Sequence, residues 1–430
     1  MSNYTKISSL IKDLNIISKL QNITKNGRVK TLGSSTTTSP KILSPSKTPT
    51  STTSVHQSKQ QNVKGYRRST APTALPISKI ITTKLFPLST IESFQDYLKR
   101  ADLDIAQENL LNLLKCYKDP QMITKTLKIK IDDEGNYINE FMIHSKNVDY
   151  SNCNHFVIIH GYGAGLGFYL KNLDEISSKD SNWCIHALDL PGYGCSSRPK
   201  YNESKSLEEY FVDTLEKWRI NRGINKMLMC CHSLGAYMTL LYTMKYKHHV
   251  QKLLLISPAG IYRPKDLNLD IPPWFHYLWE QNISPFALVR NTGPFGSMIT
   301  SGWTSRRFAK LTEIEQFYLH KYTYSIFNAQ GSGEYYMSQV LGAGGVPKLP
   351  LLEKIEKISC DTTWCYGDED WMPKEGGLKC IDKIIKNTNY SSDFKTFKNS
   401  GHHIYLDNYK DFNQFILDEM KNYEKKYIYM

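Results

Sequence analysis

From residue 156 onward, short runs of consecutive apolar residues alternate with longer stretches of helical spacing. The runs fall at 156–160, 184–188, 227–231, 252–256 and 362–366. A strand that is apolar at nearly every position, rather than at every second one, is buried on both faces. That is the condition of a parallel sheet covered by helices. The pattern predicts an α/β fold with a mostly parallel central sheet flanked by helices. In such sheets the chemistry sits at the carboxyl ends of the strands, so the residues that follow each run are the ones to read. Ahead of the sheet, 93–117 carries Tyr97, Leu98, Leu103, Leu110, Leu113 and Leu114 and reads as one helix. It opens a globular domain expected to span 91–430.

The first 90 residues follow a different rule. Ile7, Leu10, Ile11, Leu14, Ile17 and Leu20 share one helical face, and 34–60 are mostly Ser, Thr, Pro and Lys. The second segment has too little apolar surface to offset chain entropy, so it is expected to be disordered. Residues 1–91 hold 14 Lys and Arg against one acid, Asp13, and so account for the whole net charge of +13. The remainder is neutral. An amphipathic, basic, acid-poor start resembles a mitochondrial presequence and suits an anionic membrane surface as well. The competing expectation is an unstructured tail with a chance helical stretch.

Charge confined to the tail leaves no basic face on the domain, and no zinc-finger or RNP-type motif occurs, so nucleic acid is not an expected partner. The nine cysteines form no Cys-x-x-Cys and sit mostly in apolar runs. They are expected to be reduced core residues of an intracellular protein, and neither a metal nor a cofactor is expected. No apolar run approaches the ~20 residues of a spanning helix.

The candidate chemistry lies after the runs. Cys231-His232-Ser233-Leu234-Gly235 follows one of them and precedes a helical stretch, which is the strand-to-helix setting of a nucleophile elbow. Small residues are needed two before and two after the serine. Gly235 meets this, and Cys231 stands where glycine is usual. His160-Gly161-Tyr162-Gly163-Ala164-Gly165 follows an earlier run and suits the second half of an oxyanion hole, with the N–H groups of Leu234 and Tyr162 as its donors. It lacks the Gly-Lys-Ser/Thr ending of a phosphate loop. An acid is expected after the next-to-last strand, where Asp370 is preferred and Asp368 competes. The base is expected last, at His402, with His403 as the alternative. The order Ser233, Asp370, His402 is that of the α/β-hydrolase fold, and the three would form a catalytic triad.

Ser233 and Asp370 are 137 positions apart, more than one strand and one helix require. An insertion at about 258–350 is therefore expected. Its 16 aromatics in 93 residues make it richer in rings than the chain as a whole, as befits a helical cap over a long apolar substrate. Some of those rings must form the cap's own core.

Several stretches together resemble one lipid-acting subfamily of the α/β hydrolases. They are 160–167, Asp189-Leu190-Pro191-Gly192-Tyr193-Gly194 with Ser196 to Pro199, Ser284-Pro285-Phe286 with Gly293-Pro294-Phe295-Gly296, and His402-His403-Ile404-Tyr405-Leu406-Asp407. The subfamily includes the lipid-droplet co-activator of triglyceride lipase, an N-acyl-phospholipid lipase and a mitochondrial cardiolipin-specific deacylase. Residues 366–372 look most like the deacylase branch. The resemblance implies phospholipid or acylglycerol substrates and a membrane or lipid-droplet surface as partner, in mitochondrion, lipid droplet or cytosol. Its His-x4-Asp ending, matched by His402 and Asp407, implies acyl-coenzyme-A-dependent acylation of lysophosphatidic acid. Asp407 has an alternative role as cap of the following helix. Two other functions stay open. One is a non-enzymatic lipid-droplet or membrane adaptor. The other is a hydrolase like the proline iminopeptidases, which residues 193–199 also resemble.

Overall fold

The computed structural model describes residues 87–430 apart from 101, 178–180, 265–272 and 429–430. The amphipathic stretch 7–20 and the Ser/Thr/Pro segment lie outside the described residues.

Eight strands form one sheet: β1 (Met122–Lys130), β2 (Tyr137–Ser145), β3 (Asn154–Ile159), β4 (Trp183–Leu188), β5 (Met227–His232), β6 (Val250–Ile256), β7 (Asp361–Gly367) and β8 (Ser392–Phe397). Their spatial order is β1-β2-β4-β3-β5-β6-β7-β8. From β4 to β8 every pairing is parallel, while β1, β2 and β4 pair antiparallel. The β1–β2 hairpin carries no continuous apolar run in its outer strand, whose lysines alternate with apolar residues. That alternation belongs to an edge strand with one face in water.

The parallel strands are buried on both faces, as the continuous runs require. Val157, Ile159, Met227, Met229 and Cys231 point to one side, where they meet Trp218, Tyr242 and Trp364. Phe156, Ile158, Leu228, Cys230 and Leu254 point to the other, against Phe168, Tyr169 and Tyr405. The nine cysteines are free, and all but Cys153 are buried.

The single helix expected at 93–117 is two, α1 (Thr90–Lys99) and α2 (Leu103–Leu111). α1 begins at a capping box between Ser89 and Glu92. α1 is capped at its C-terminal end by Arg100, and Asp102 stands at the start of α2. α2 stops early because the N–H groups of Lys115 and Cys116 donate to the Asp174 carboxylate, each at 2.9 Å. A tertiary partner thus overrides helical periodicity.

The sheet is flanked by α3 (Leu170–Ile176), α4 (Asp213–Asn221) and α5 (Leu234–Lys245). Between β6 and β7 the chain is helical, with α6 (Pro273–Glu280), α7 (Phe286–Asn291), α8 (Gly296–Arg307) and α9 (Glu313–Asn328). α10 (Lys374–Asn387) and α11 (Tyr409–Tyr427) complete the chain. α1 packs on this inserted layer: Ser93 Oγ donates to the Pro294 carbonyl at 2.6 Å and accepts from the Met298 N–H at 2.9 Å. No helix among the described residues is long and apolar enough to cross a membrane.

Candidate active site

β5 ends at His232 and α5 begins at Leu234, so Ser233 must reverse the chain alone. It does so at φ 52°, ψ −114°, a conformation that costs a residue with a side chain about 1–3 kcal/mol. Two backbone bonds hold it: the Ser233 N–H donates to the Ile256 carbonyl at 2.9 Å, and its carbonyl accepts from Ala259 at 3.2 Å. The glycine at 235 is a steric necessity, since a Cβ there would run into the His160 carbonyl. Gly161 faces the same constraint from the other side, because its Cβ would sit 2.9 Å from the Ser233 Cβ. Cys231, where glycine is usual, is fully buried and accepts a 3.2 Å hydrogen bond from Thr239 Oγ1. Its side chain has a place in the core, so the elbow closes without glycine.

His402 and Asp370 arrive from the ends of two later strands. His402 follows β8, and its Nε2 lies 3.0 Å from Ser233 Oγ. Its Nδ1 lies 3.1 Å from Asp370 Oδ1, which also accepts from the Met372 N–H at 3.0 Å. The Asp370 side chain is fully buried and that of His402 is 12% exposed. The competing residues lie elsewhere. Asp368 is exposed and accepts from the Ser400 N–H at 3.0 Å. Partial burial would raise its carboxyl, but the backbone N–H groups of Ser400 and Asn399 outweigh that and hold it below the ordinary range. His403 lies tilted 5.1 Å from His232 and edge-on 5.8 Å from Tyr405. Burial and the nearby Arg307 guanidinium hold it well below the ordinary histidine value.

The glycine-rich loop after β3 is fixed by buried polar groups that the sequence reading did not single out as site residues. His160 accepts the Leu190 N–H at Nε2 (3.0 Å) and meets the Gly161 carbonyl at Nδ1 (2.7 Å). That pairing defines a neutral ring protonated at Nδ1, in keeping with a burial that lowers its pKa. Asp189, at the end of β4, accepts from the N–H groups of Leu166 (2.7 Å) and Cys195 (2.8 Å) and from Asn139 Nδ2 (2.7 Å). One carboxylate therefore ties the loop after β3 to the loop after β4. Among the described residues, no acceptor takes the N–H of Tyr162 or of Leu234. His232 Nε2 contacts the His402 carbonyl at 2.8 Å and steadies the loop that carries the base.

Asp407 does not cap the helix after it. That role falls to Asn408, whose side chain accepts from Asp411. Asp407 is instead buried. It accepts the Gly401 N–H at 2.9 Å and pairs with Arg307 at 2.9 Å. It thus acts on the residue just before His402, and Arg307 reaches it from the inserted layer. Nothing in the sequence pattern marks Arg307, because the pairing spans 100 positions.

The inserted helices roof this end of the sheet with rings. Phe286 lies 5.3 Å from Tyr162 and 4.6 Å from Phe327, and Trp303 continues the row 5.7 Å beyond Phe327. Trp371 covers His402 at 5.1 Å. One carboxylate, Glu334, approaches Tyr162 from this layer, and it is neutralised by Arg290.

A serine at a strand-to-helix turn, with a histidine and a buried acid following two later strands in hydrogen-bond reach, defines the class. Residues 154–409 match the family model described as the alpha/beta hydrolase fold, and the chain belongs to that family. Its relatives include a 1-acylglycerol-3-phosphate O-acyltransferase of Arabidopsis thaliana, 29% identical over 73% of this chain and 78% of that protein. The human (lyso)-N-acylphosphatidylethanolamine lipase is 30% identical over 60% of this chain and 76% of its own length. The human 1-acylglycerol-3-phosphate O-acyltransferase ABHD5 is 29% identical over 72% of this chain and 86% of its own. Among solved structures, the naproxen esterase of Bacillus subtilis aligns with a TM-score of 0.50 at 16% identity, over 74% of this chain and 96% of the esterase. That likeness is one of fold.

Proposed function

We propose that this chain is a serine-dependent carboxylic ester hydrolase acting on phospholipids or acylglycerols. The observation that carries the reading is the continuous relay of Ser233 Oγ, His402 and Asp370, with contacts of 3.0 and 3.1 Å at a strained elbow. His402 takes the Ser233 proton as Oγ attacks the ester carbonyl carbon. Asp370 fixes the ring tautomer and balances the imidazolium. The N–H groups of Leu234 and Tyr162 receive the oxyanion, each worth about 2.7–4 kcal/mol of barrier. Collapse expels the alcohol, which takes its proton from His402 and leaves an acyl-Ser233. Water then releases a fatty acid.

Lysophosphatidic acid in place of that water, with acyl-coenzyme A as acyl donor, turns the same intermediate to acyl transfer. The names of the acyltransferase relatives support this second use, and that of the lipase relative supports the first. The ring-lined roof suits an acyl chain. Exposed Ile91, Phe94 and Leu98 on α1, with Leu288 and Phe295, support contact with a membrane or lipid-droplet surface. A peptide α-amine would need a free carboxylate in the cap, and pairing of Glu334 with Arg290 argues against an iminopeptidase.

The test is mass-spectrometric product analysis of the full chain, wild type and Ser233→Ala. The substrates are cardiolipin, phosphatidylethanolamine and acylglycerols, with a parallel reaction of lysophosphatidic acid and acyl-coenzyme A. Ser233-dependent release of fatty acid from one lipid class supports the hydrolase. Absence of Ser233-dependent chemistry on every substrate overturns it in favour of the adaptor.

A further inference from the structure

Far from the serine, the N-terminal ends of β3 and β4 hold a second cluster. Two Cys-x-His repeats, Cys153-Asn154-His155 and Cys184-Ile185-His186, begin these neighbouring parallel strands. The register pairs His155 with Cys184. Side chains two apart on a strand share a face, so the strand pairing brings both repeats to the same side of the sheet. The ligating atoms of His155, Cys184 and His186 all lie within 4.8 Å of one another, and all three residues are buried. Cys153 precedes His155 by two positions on the same face, and its thiol donates to the Tyr150 carbonyl at 3.4 Å.

We propose that Cys153, His155, Cys184 and His186 form a structural Zn2+ site. His186 is already oriented for it. Its Nδ1 contacts Glu140 Oε1 at 2.6 Å, which fixes the proton there and leaves the Nε2 lone pair facing His155 Nδ1 at 3.1 Å. A carboxylate behind a histidine is the usual support of a metal-ligating imidazole. Glu140 is itself held by Trp218 Nε1 at 2.9 Å and by Arg222 at 3.1 Å. Two imidazoles and two thiolates are the tetrahedral, borderline-soft set that selects zinc over harder cations. Ligands about 2.0–2.3 Å from a tetrahedral zinc stand roughly 3.5 Å apart. The two imidazole nitrogens are already that close, the Cys184 sulfur lies within 4.8 Å of both, and the Cys153 thiol must leave the Tyr150 carbonyl to join them. Charge balances as well. Zn2+ enters, both thiols release a proton to solvent, and the neutral site adjoins the Glu140–Arg222 pair, so no net charge is buried.

Because the triad follows the opposite ends of the strands, the metal would clamp the sheet without touching Ser233. This inference does not depend on the proposed activity. The full chain, expressed with added Zn2+ and gel-filtered under a non-chelating phosphine reductant, is expected to retain about one zinc per chain by plasma mass spectrometry. Co2+ exchanged for zinc should show the visible absorption of tetrahedral cobalt and a thiolate-to-cobalt charge-transfer band. Cys153→Ser, at a half-buried position, should keep the fold, halve that band and weaken zinc retention. His155→Gln should lower zinc retention without changing the number of thiolates. EDTA should lower the melting temperature of the wild type and not that of Cys153→Ser, with Ser233-dependent ester hydrolysis at room temperature unchanged. Zinc below about a tenth of an equivalent in the wild type, or zinc and cobalt spectra that persist unaltered in both variants, overturns the site.

Discussion

The choice between two acids two residues apart gives the sharpest test of the relay. Asp370→Ala removes the acceptor 3.1 Å from His402 Nδ1 in a place where water cannot substitute, because the Asp370 side chain has no exposed surface. His402 then has no partner that fixes its tautomer, and the imidazolium formed in the transition state is unbalanced in a low dielectric. Loss of the acid in a serine–histidine–acid relay costs on the order of 10^4-fold in kcat, which is about 5–6 kcal/mol at about 1.36 kcal/mol per decade. KM for a short ester should hardly move, since Asp370 does not contact the acyl group. Asp368→Ala removes one hydrogen bond to the Ser400 N–H at an exposed position. A bond of that kind is worth about 0.5–1.5 kcal/mol, so kcat should stay within roughly tenfold of the wild type. Initial rates on a p-nitrophenyl ester, with thermal melts to show that both variants fold, are the assay. A folded Asp370→Ala within tenfold of the wild type refutes the reasoning. So does an Asp368→Ala that falls as far as Asp370→Ala.

Four further outcomes are expected. Gly235→Ala should drive the elbow away from the His160 carbonyl and cost roughly 10^2-fold or more in kcat through misplacement of Ser233; unchanged rates in a steady-state assay would contradict the contact. Arg307→Ala leaves the buried Asp407 carboxylate without its guanidinium and should cost about 3–5 kcal/mol in urea unfolding, while Asp407→Asn should depress hydrolysis and acyl transfer by the same factor. Loss of transfer alone would instead give Asp407 a direct part in it. Asp96 is buried against the inserted helices, and although burial would raise its carboxyl, hydrogen bonds from His320, Lys321 and Ser297 hold it below the ordinary value. A depressed carboxyl stabilises above its unfolded value of ~3.9 and loses that stability as pH falls through its folded value. Asp96→Asn should therefore melt earlier than the wild type at pH 7, with the gap narrowing below about pH 4; a gap independent of pH would refute the ionised pairing.

The sequence by itself marked the parallel part of the sheet, the elbow serine, and the two strand ends where an acid and a histidine were expected. Continuous apolar runs set between helical stretches suit burial on both faces, and Ser233 and Asp370 stand just after two of them. Steric rules did the rest at Gly235, where only glycine fits. What the tertiary structure alone decided depends on partners remote in sequence. Asp370 and Asp368 read alike along the chain, and only the return of β8 beside β7 brings His402 to the first and Ser400 to the second. The second of the two N-terminal helices ends at Leu111, short of the expected Tyr117, where Asp174 takes the N–H groups of Lys115 and Cys116. Asp407 lost its expected capping role because Arg307 reaches it from the inserted layer. The two Cys-x-His repeats, separated by 31 positions, carry no metal-ligand spacing that a linear reading recognises. They share a face because β3 and β4 pair in parallel with His155 opposite Cys184. Local sequence sets strands, turns and strain, whereas a buried charge or ligand set exists only once the fold has brought its members together.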